Sequence, residues 1–216
     1  MYAKCFKRVL DFCLSALALT VLSPVLLVLT VLGAVFMKGN PFFTQQRPGK
    51  NEKIFRLVKF RSMTCEKDAA GNLLPDEKRL NRYGKFLRST SLDELPELVN
   101  ILAGHMSLVG PRPLLVEYLP YYTEKERLRH SVRPGLTGLA QVNGRNFVAW
   151  DQRLALDCEY VSNITFVGDC KILLRTVIVT LKPETVAVCT QDVEGNLAQI
   201  RQAAMEENNA ERIHVG

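Results

Sequence analysis

The chain reads as an α+β fold, a membrane-embedded N-terminal helix joined to a compact head of short strands and amphipathic helices. Three observations predict it. Residues 12–37 form one uncharged apolar run, 26 residues long, with Ser23-Pro24 near its centre. Strand-like segments separated by Pro-Gly follow directly. Beyond them, helical spacings and turn signals alternate with no internal repeat and no clean boundary, which fits helices and strands around one core. The expected divisions are 1–40 for the membrane element, 41–183 for the head and 184–216 for a tail without an assigned role.

As a straight helix the apolar run is long enough to cross a hydrocarbon core of roughly 30 Å. No small-residue cleavage site follows it, so a cleaved leader fits poorly. Pro24 removes one backbone donor and crowds the preceding turn, which predicts a kink, and the Ser23 hydroxyl can bond a carbonyl that the kink frees. Both flanks are basic: Lys4, Lys7 and Arg8 before the run, Lys38, Arg47 and Lys50 after it. A spanning helix normally leaves its basic excess on one side, whereas a hairpin returning to the same face satisfies both. Proline is common in spanning helices, so the residues alone leave both arrangements open.

In the head, residues 42–46 and 54–60 read as strands, and Pro48-Gly49 predicts a type II turn and a hairpin. Residues 66–75 are a polar loop. Residues 76–87 predict a basic helix with Leu80, Tyr83 and Leu87 on one face, weakened by Gly84. Leu95, Leu98, Val99 and Leu102 have helical spacing, with Gly104 as the stop. A helix is expected over 117–130, turns at Arg133-Pro-Gly135 and Asn143-Gly144, and a helix lying on a membrane surface over 169–181, where Lys171 and Arg175 punctuate an apolar stretch ended by Lys182. Residues 194–211 read as a solvated helix.

Lys and Arg number 28 against 22 Asp and Glu, a net charge of +6 that suits phosphate or an anionic membrane face. The basic residues are dispersed, which argues against a nucleic-acid-binding tail. The six cysteines include no C-x-x-C, and the three histidines lack ligand spacing, so neither a disulfide framework nor a zinc site is expected. The glycine-rich fingerprints of P-loop and dinucleotide sites are absent.

Chemistry concentrates between residues 88 and 113. Asp93 and Glu94 lie between Arg88 and the Pro-locked Arg112 of Gly110-Pro-Arg-Pro113. Carboxylates attack phosphorus or hold a hard metal, and a pre-aimed guanidinium binds phosphate with less entropy loss. Ser91-Leu-Asp-Glu94 also fits a helix capping box, but Pro96 cannot supply the amide that a helix begun at Ser91 would need. Gly110–Pro113 could equally be a rigid loop; Lys59 reads as an ordinary strand residue and Arg88 as the solvated end of a helix.

Together the stretches Lys7-Arg-Val-Leu-Asp11, Ser23-Pro24, Phe43-Thr-Gln-Gln-Arg-Pro-Gly49, Lys59-Phe-Arg-Ser-Met63, Ser91-Leu-Asp-Glu-Leu-Pro96, Ser107-Leu-Val-Gly-Pro-Arg-Pro113, Val132-Arg-Pro-Gly-Leu-Thr-Gly138 and Gln141-Val-Asn-Gly-Arg145 resemble the small monotopic phosphoglycosyl transferases, also called bacterial sugar transferases. The likeness is nearest to the branch that opens bacterial protein N-glycosylation with a diacetylbacillosamine phosphate. It implies a re-entrant helix broken at Ser23 and Pro24, with the head on the cytoplasmic face of the bacterial inner membrane. It implies a UDP-sugar and undecaprenyl phosphate as substrates, a phospholipid membrane as partner and no nucleic acid; self-association into a homo-oligomer stays open. By the same resemblance Asp93 is the nucleophile, and Glu94 assists proton transfer or shares Mg²⁺ with Asp93. Lys59, Arg88 and Arg112 lie at the phosphates, Asp157 is an acidic partner of that basic set, and Arg145 is a nucleotide contact. Other UDP-hexoses, serving capsule, O-antigen or exopolysaccharide, are the alternative within the family; a basic membrane-surface scaffold is the non-enzymatic one.

Overall fold

The computed structural model describes residues 2–143, 149–180, 195–203 and 206. Arg145, the Gly144 half of the expected Asn143-Gly144 turn, the last residue of the helix expected over 169–181 and most of the tail lie outside these residues.

The apolar run forms helix α1, Lys7–Phe36, entered through one π-helical turn, Tyr2–Phe6. It is the one described helix long and apolar enough to cross a membrane. The expected break at Ser23-Pro24 is not a gap, because helical structure continues through both residues. The reason is local. Pro24 cannot donate to the carbonyl of Thr20, and the Ser23 hydroxyl donates to that same oxygen at 2.8 Å.

One stripe of α1 packs on the head from end to end. Arg8 donates to the C-terminal carbonyls of Ile101 (2.6 Å) and Leu102 (2.9 Å), and Asp11 accepts from the Ser107 hydroxyl (2.6 Å) and the Leu108 amide (3.1 Å). Ala18 and Leu19 pack against a cluster of Phe55, Leu57, Leu98, Ile101 and Met106. Leu29 and Met37 join Phe60, Tyr83 and Leu87, and the Tyr83 hydroxyl donates to the Leu29 carbonyl at 2.7 Å. The remaining faces, among them Val9, Leu17, Val21, Leu27, Val31 and Val35, expose apolar side chains.

The expected hairpin is present. Strands β1, Phe42–Pro48, and β2, Ile54–Phe60, pair antiparallel, with Phe42 opposite Phe60 and Pro48 opposite Ile54. The connection is not a type II turn. Gly49 has φ −103°, and the left-handed residues are Asn51 and Glu52, in a short 3₁₀ turn closed by Gly49 N–H to the Lys53 carbonyl at 2.9 Å.

The helix expected over 76–87 divides into α2, Asp76–Arg79, and α3, Arg82–Thr90. Asn81 causes the division: its side-chain oxygen accepts from the Gly84 amide at 2.9 Å and caps α3, while its amide nitrogen donates to the Phe36 carbonyl at the end of α1 (3.0 Å). Gly84 is a packing requirement rather than a weakness, since a Cβ there would lie 1.9 Å from the Ser62 carbonyl oxygen. Helix α4, Glu97–Leu102, turns Leu98 and Ile101 inward but leaves Val99 exposed, and Gly104 stops it at φ +85°.

A second sheet escaped the sequence reading. β3, Ser107–Val109, and β4, Gly135–Thr137, pair parallel, so Arg133-Pro-Gly135 leads into a strand rather than a turn. Each strand has three residues, too few for a periodicity. A Cβ on Gly135 would meet the Gly110 nitrogen at 2.1 Å, so the two backbones approach only because glycine stands there. The helix expected over 117–130 resolves into a 3₁₀ turn Val116–Tyr121, helix α5, Glu124–Arg127, and a 3₁₀ turn Leu128–Ser131. Pro120 interrupts it, and Thr123 with Glu126 forms a capping box that restarts it.

Helices α6, Leu139–Val142, α7, Trp150–Ser162, and α8, Phe166–Thr180, complete the head. α8 buries Asp169 and Ile172 and exposes Phe166, Val167, Leu174, Val177 and Ile178. Asp169 accepts from Lys7 (2.6 Å), Tyr2 (2.7 Å) and Tyr160 (2.8 Å), which ties α8 and α7 to the chain's start. The tail is not a solvated helix throughout. A helical turn at 197–203 buries Leu197 among Leu114, Tyr118, Tyr122, Trp150 and Leu154, and Arg201 bridges Glu126 and Asp151 at 2.8 Å each.

Gly84→Ala is expected to lower stability by about 1–3 kcal/mol, because the methyl group has only backbone to displace. Thermal melting in detergent reads this; an unchanged midpoint would refute the close approach to Ser62.

Candidate active site

Four separate pieces of chain converge on Glu94. β2 supplies Lys59. α3 ends at Ser91, whose left-handed backbone (φ 56°) reverses the chain into a 3₁₀ turn, Leu92–Glu94, that carries both carboxylates. Ser91 makes no side-chain cap, so the capping-box reading of Ser91-Leu-Asp-Glu94 fails. Pro96 stands at the N-cap of α4, where no helical amide is owed. Glu97 begins α4, and the loop after β3 supplies Arg112.

Glu94 Oε1 accepts from Lys59 Nζ at 2.8 Å and from Arg112 Nη2 at 2.6 Å. Lys59 Nζ also lies 3.1 Å from Glu97 Oε1. Among the described residues no cation comes within ion-pair distance of Asp93. Arg112 keeps 42% of its side chain exposed, against 18% for Lys59 and Glu94, so its guanidinium is the part of the cluster most open to an incoming anion. Arg88 donates to the Ser62 hydroxyl at 3.0 Å and stands within electrostatic reach of Asp93.

The carboxylates differ electrostatically. Burial alone would raise Glu94, but Arg112 and Lys59 hold it well below the usual carboxylate range. Burial and the adjacent Glu94 push Asp93 up to about 6 against the pull of Lys59, Arg112 and Arg88. Burial and Glu94 likewise push Glu97 up to about 7, although Lys59 opposes them. One carboxylate is thus locked as an anion, and its neighbour is the more basic of the two.

The Arg112 loop is braced from behind. Arg129 donates to the Arg112 carbonyl at 2.7 Å, and Arg47 donates to the Pro113 carbonyl at 3.2 Å. Asp157 holds Arg129 at 2.7 Å, and both side chains are almost fully buried. Asp157 therefore lies behind the site, engaged with Arg129 and linked to Arg112 only through it. Burial and Arg112 draw the Arg47 guanidinium down to about 10, the mark of two cations facing each other. The structure thus brings together Asp93, Glu94, Lys59, Arg112 and, at the rim, Arg88; it sets Asp157 behind them. Ser23 and Pro24 belong to α1, away from this cluster. Glu97, Arg129 and Arg47 were not singled out. Glu97 lies just past the Ser91–Pro96 motif, and nothing in the sequence separates it from a surface glutamate.

Among the described residues no three His, Cys, Asp or Glu side chains form a metal cluster. The donor set nevertheless suits a hard cation. Both cations bind Glu94 through Oε1, so Oε2 and the Asp93 carboxylate remain as two oxygen donors, and Mg²⁺ commonly takes one or two carboxylates plus substrate phosphates and water.

Comparison with known proteins identifies the family. Residues 2–183 match the family model described as bacterial sugar transferase. The chain is 51% identical over 172 residues to an uncharacterized sugar transferase, EpsL, of Bacillus subtilis, covering 79% of this chain and 85% of that protein. It is 40% identical over 182 residues to a UDP-glucose:undecaprenyl-phosphate glucose-1-phosphate transferase of Klebsiella pneumoniae, covering 80% of this chain and 39% of that one. It is 38% identical over 194 residues to an undecaprenyl-phosphate galactose phosphotransferase of Salmonella typhimurium, covering 82% of this chain and 40% of that one. The chain thus spans well under half the length of those two relatives.

The raised carboxyl group of Glu97 makes a stability prediction. The folded state binds more protons than the unfolded chain between the ordinary value of 4.5 and about 7, so Glu97 costs stability as pH climbs through that window. The stability of the unmodified protein relative to Glu97→Gln should therefore fall from pH 4.5 to 7 and level off above. His130, held down to about 4 by burial and Arg129, titrates with the opposite sign in both proteins and cancels. Melting midpoints of the two proteins across this range check it; a constant difference would show that Lys59 offsets the effect of burial and that the Glu97 carboxyl group is not raised.

Proposed function

Because the chain belongs to the bacterial sugar transferase family, we propose that it transfers a sugar 1-phosphate from a UDP-sugar to undecaprenyl phosphate and releases UMP. The observation that carries this reading is the division of labour between the adjacent carboxylates. Glu94 is occupied by Lys59 and Arg112, while Asp93 has no ion-pair partner among the described residues and is the more basic.

Asp93 attacks the sugar-bearing phosphorus of the UDP-sugar. The phosphorus–oxygen bond to UMP breaks, and UMP leaves with the electron pair. An oxygen of undecaprenyl phosphate then attacks the same phosphorus, and the Asp93 carboxylate departs. Lys59, Arg112 and Arg88 offset charge on the transferring phosphoryl group, and covalent catalysis lets two unlike substrates use one site in turn. Bound Mg²⁺ would supply further charge neutralisation at the diphosphate, held by Asp93 and Glu94 Oε2. Asp157 acts through Arg129 on the aim of Arg112.

Packing supports a re-entrant membrane disposition. The start of α1 is fastened to α4, β3 and α8, and its end is fastened to α3 and the hairpin. A helix whose two ends both contact the head is best accommodated with both ends on the head's side of the membrane, its exposed apolar faces in lipid and Ser23-Pro24 at the turning region. We place that side at the cytoplasm of the bacterial inner membrane, where the basic flanks belong.

The relatives named for glucose and galactose favour a UDP-hexose as donor. The sequence motifs favoured diacetylbacillosamine and protein N-glycosylation. UMP release across a panel of UDP-sugars, with undecaprenyl phosphate and Mg²⁺, separates them. A scaffold without catalysis leaves the Asp93–Glu94 asymmetry without a purpose.

Asp93→Asn should reduce UMP release by at least about 10³-fold with folding and membrane association retained, since the amide keeps the shape but is a far poorer nucleophile. Release at the unmodified rate would remove Asp93 from the covalent role.

A further inference from the structure

Glu97 has no part in the scheme above, yet it is a carboxylate only 3% exposed at the floor of the site. Its ion-pair partner is Lys59, whose ammonium it shares with Glu94: 3.1 Å to Glu97 Oε1 and 2.8 Å to Glu94 Oε1. Glu94 Oε1 is in turn divided between Lys59 and Arg112. Lys59 therefore has two anchors, one contested and one its own.

The fold does not depend on the Glu97 contact. α4 is fixed on the free edge of β2 by Asn100, whose side chain accepts from the Val58 amide (3.0 Å) and donates to the Arg56 carbonyl (2.8 Å), as a neighbouring strand would. Leu98 and Ile101 pack with Phe55 and Leu57 beneath it. These contacts set α4 against β2 with or without a carboxylate at 97. A buried anion at that place has a different consequence: it holds the Lys59 ammonium by charge while Glu94 exchanges partners.

We propose that Glu97 is a positioning residue, which anchors Lys59 beside Glu94 so that this cation meets the transferring phosphoryl group and does not swing onto the Asp93 carboxylate. The proposal rests on the reading of Asp93 as nucleophile. Lys59 on β2, Arg112 on the loop after β3, Arg88 on α3 and Glu94 on the same turn are the charged groups that face Asp93. Loss of Glu97 frees only Lys59 among them.

Two measurements on the full chain in detergent test it. In the first, an amine-reactive ester labels lysines near pH 8 and mass spectrometry follows Lys59. Glu97 Oε1 holds the Lys59 ammonium at 3.1 Å, so Glu97→Ala should release the amine, speed Lys59 acylation about 5- to 10-fold and leave other lysines unchanged. In the second, UMP release is measured for Glu97→Ala, Lys59→Met and the double variant. Glu97→Ala should lower kcat about 10- to 100-fold with KM for the UDP-sugar within about threefold, and should cost less than about twofold in the Lys59→Met background. Should Glu97→Ala not fold, Glu97→Gln, which keeps the oxygen and removes the charge, is read in the same way. Unchanged Lys59 acylation, or equal losses with and without Lys59, overturns the proposal. The labelling does not require turnover, so a failure of the nucleophile assignment, seen as full activity in Asp93→Asn, is distinguishable from a failure of this one.

Discussion

A single carboxylate oxygen, Glu94 Oε1, joins the parts of this molecule that the chain keeps far apart. It takes a lysine from the hairpin and an arginine from the loop after β3. Each partner is secured by further layers. Lys59 rests on Glu97 and α4. Arg112 rests through its carbonyl on Arg129 and Asp157, and hence on α7. Away from bulk water, two cations on one oxygen stabilise the anion strongly, and removing either would leave charge poorly compensated. That constraint makes Asp93 the available neighbour.

The same logic governs the junction with the membrane helix. α1 carries few polar side chains, and those near its start are all engaged by the head: Lys7 by Asp169, Arg8 by the end of α4, and Asp11 by Ser107 and Leu108. Beyond Asp11 the contact is mainly apolar and continues to Met37, with the Leu29 and Phe36 carbonyls accepting from Tyr83 and Asn81. The helix and the head therefore share one packing surface, and the other faces of α1 and one face of α8 expose apolar side chains. The Asp93–Glu94 cluster lies on elements that touch α1; under the proposed function this keeps it close to where a lipid phosphate would arrive.

Much of this was legible in the residues. The hairpin followed from alternation and the Pro-Gly signal, and α1 from its uninterrupted apolar run. The role of Ser23 followed from the carbonyl that Pro24 must orphan, and that bond is present. The clustering of Lys59, Asp93, Glu94 and Arg112 followed from matched motifs, since their spacing along the chain carries no contact information. The failures have physical causes. Asn81 splits one predicted helix by capping a second, and Pro120 with the Thr123 box divides another. β3 and β4 are held by glycine–glycine approach rather than by a strand-length pattern. Leu197 looked like part of a polar tail because the groove that buries it is made by residues 43 to 83 positions earlier.

The sequence by itself determined the local chemistry: which helix is apolar, where proline forbids an amide, and which carboxylates stand beside which arginines. These depend on residue type and near neighbours. The tertiary structure decided how charge is shared. Glu94 takes two cations and Asp93 none within ion-pair distance among the described residues; Glu97, indistinguishable from a surface glutamate in the sequence, lies at the floor of the site; and Asp157 stands behind Arg129 rather than beside Asp93 and Glu94. Such sharing is set by distance and burial, and both arise only when segments far apart in the chain are packed together.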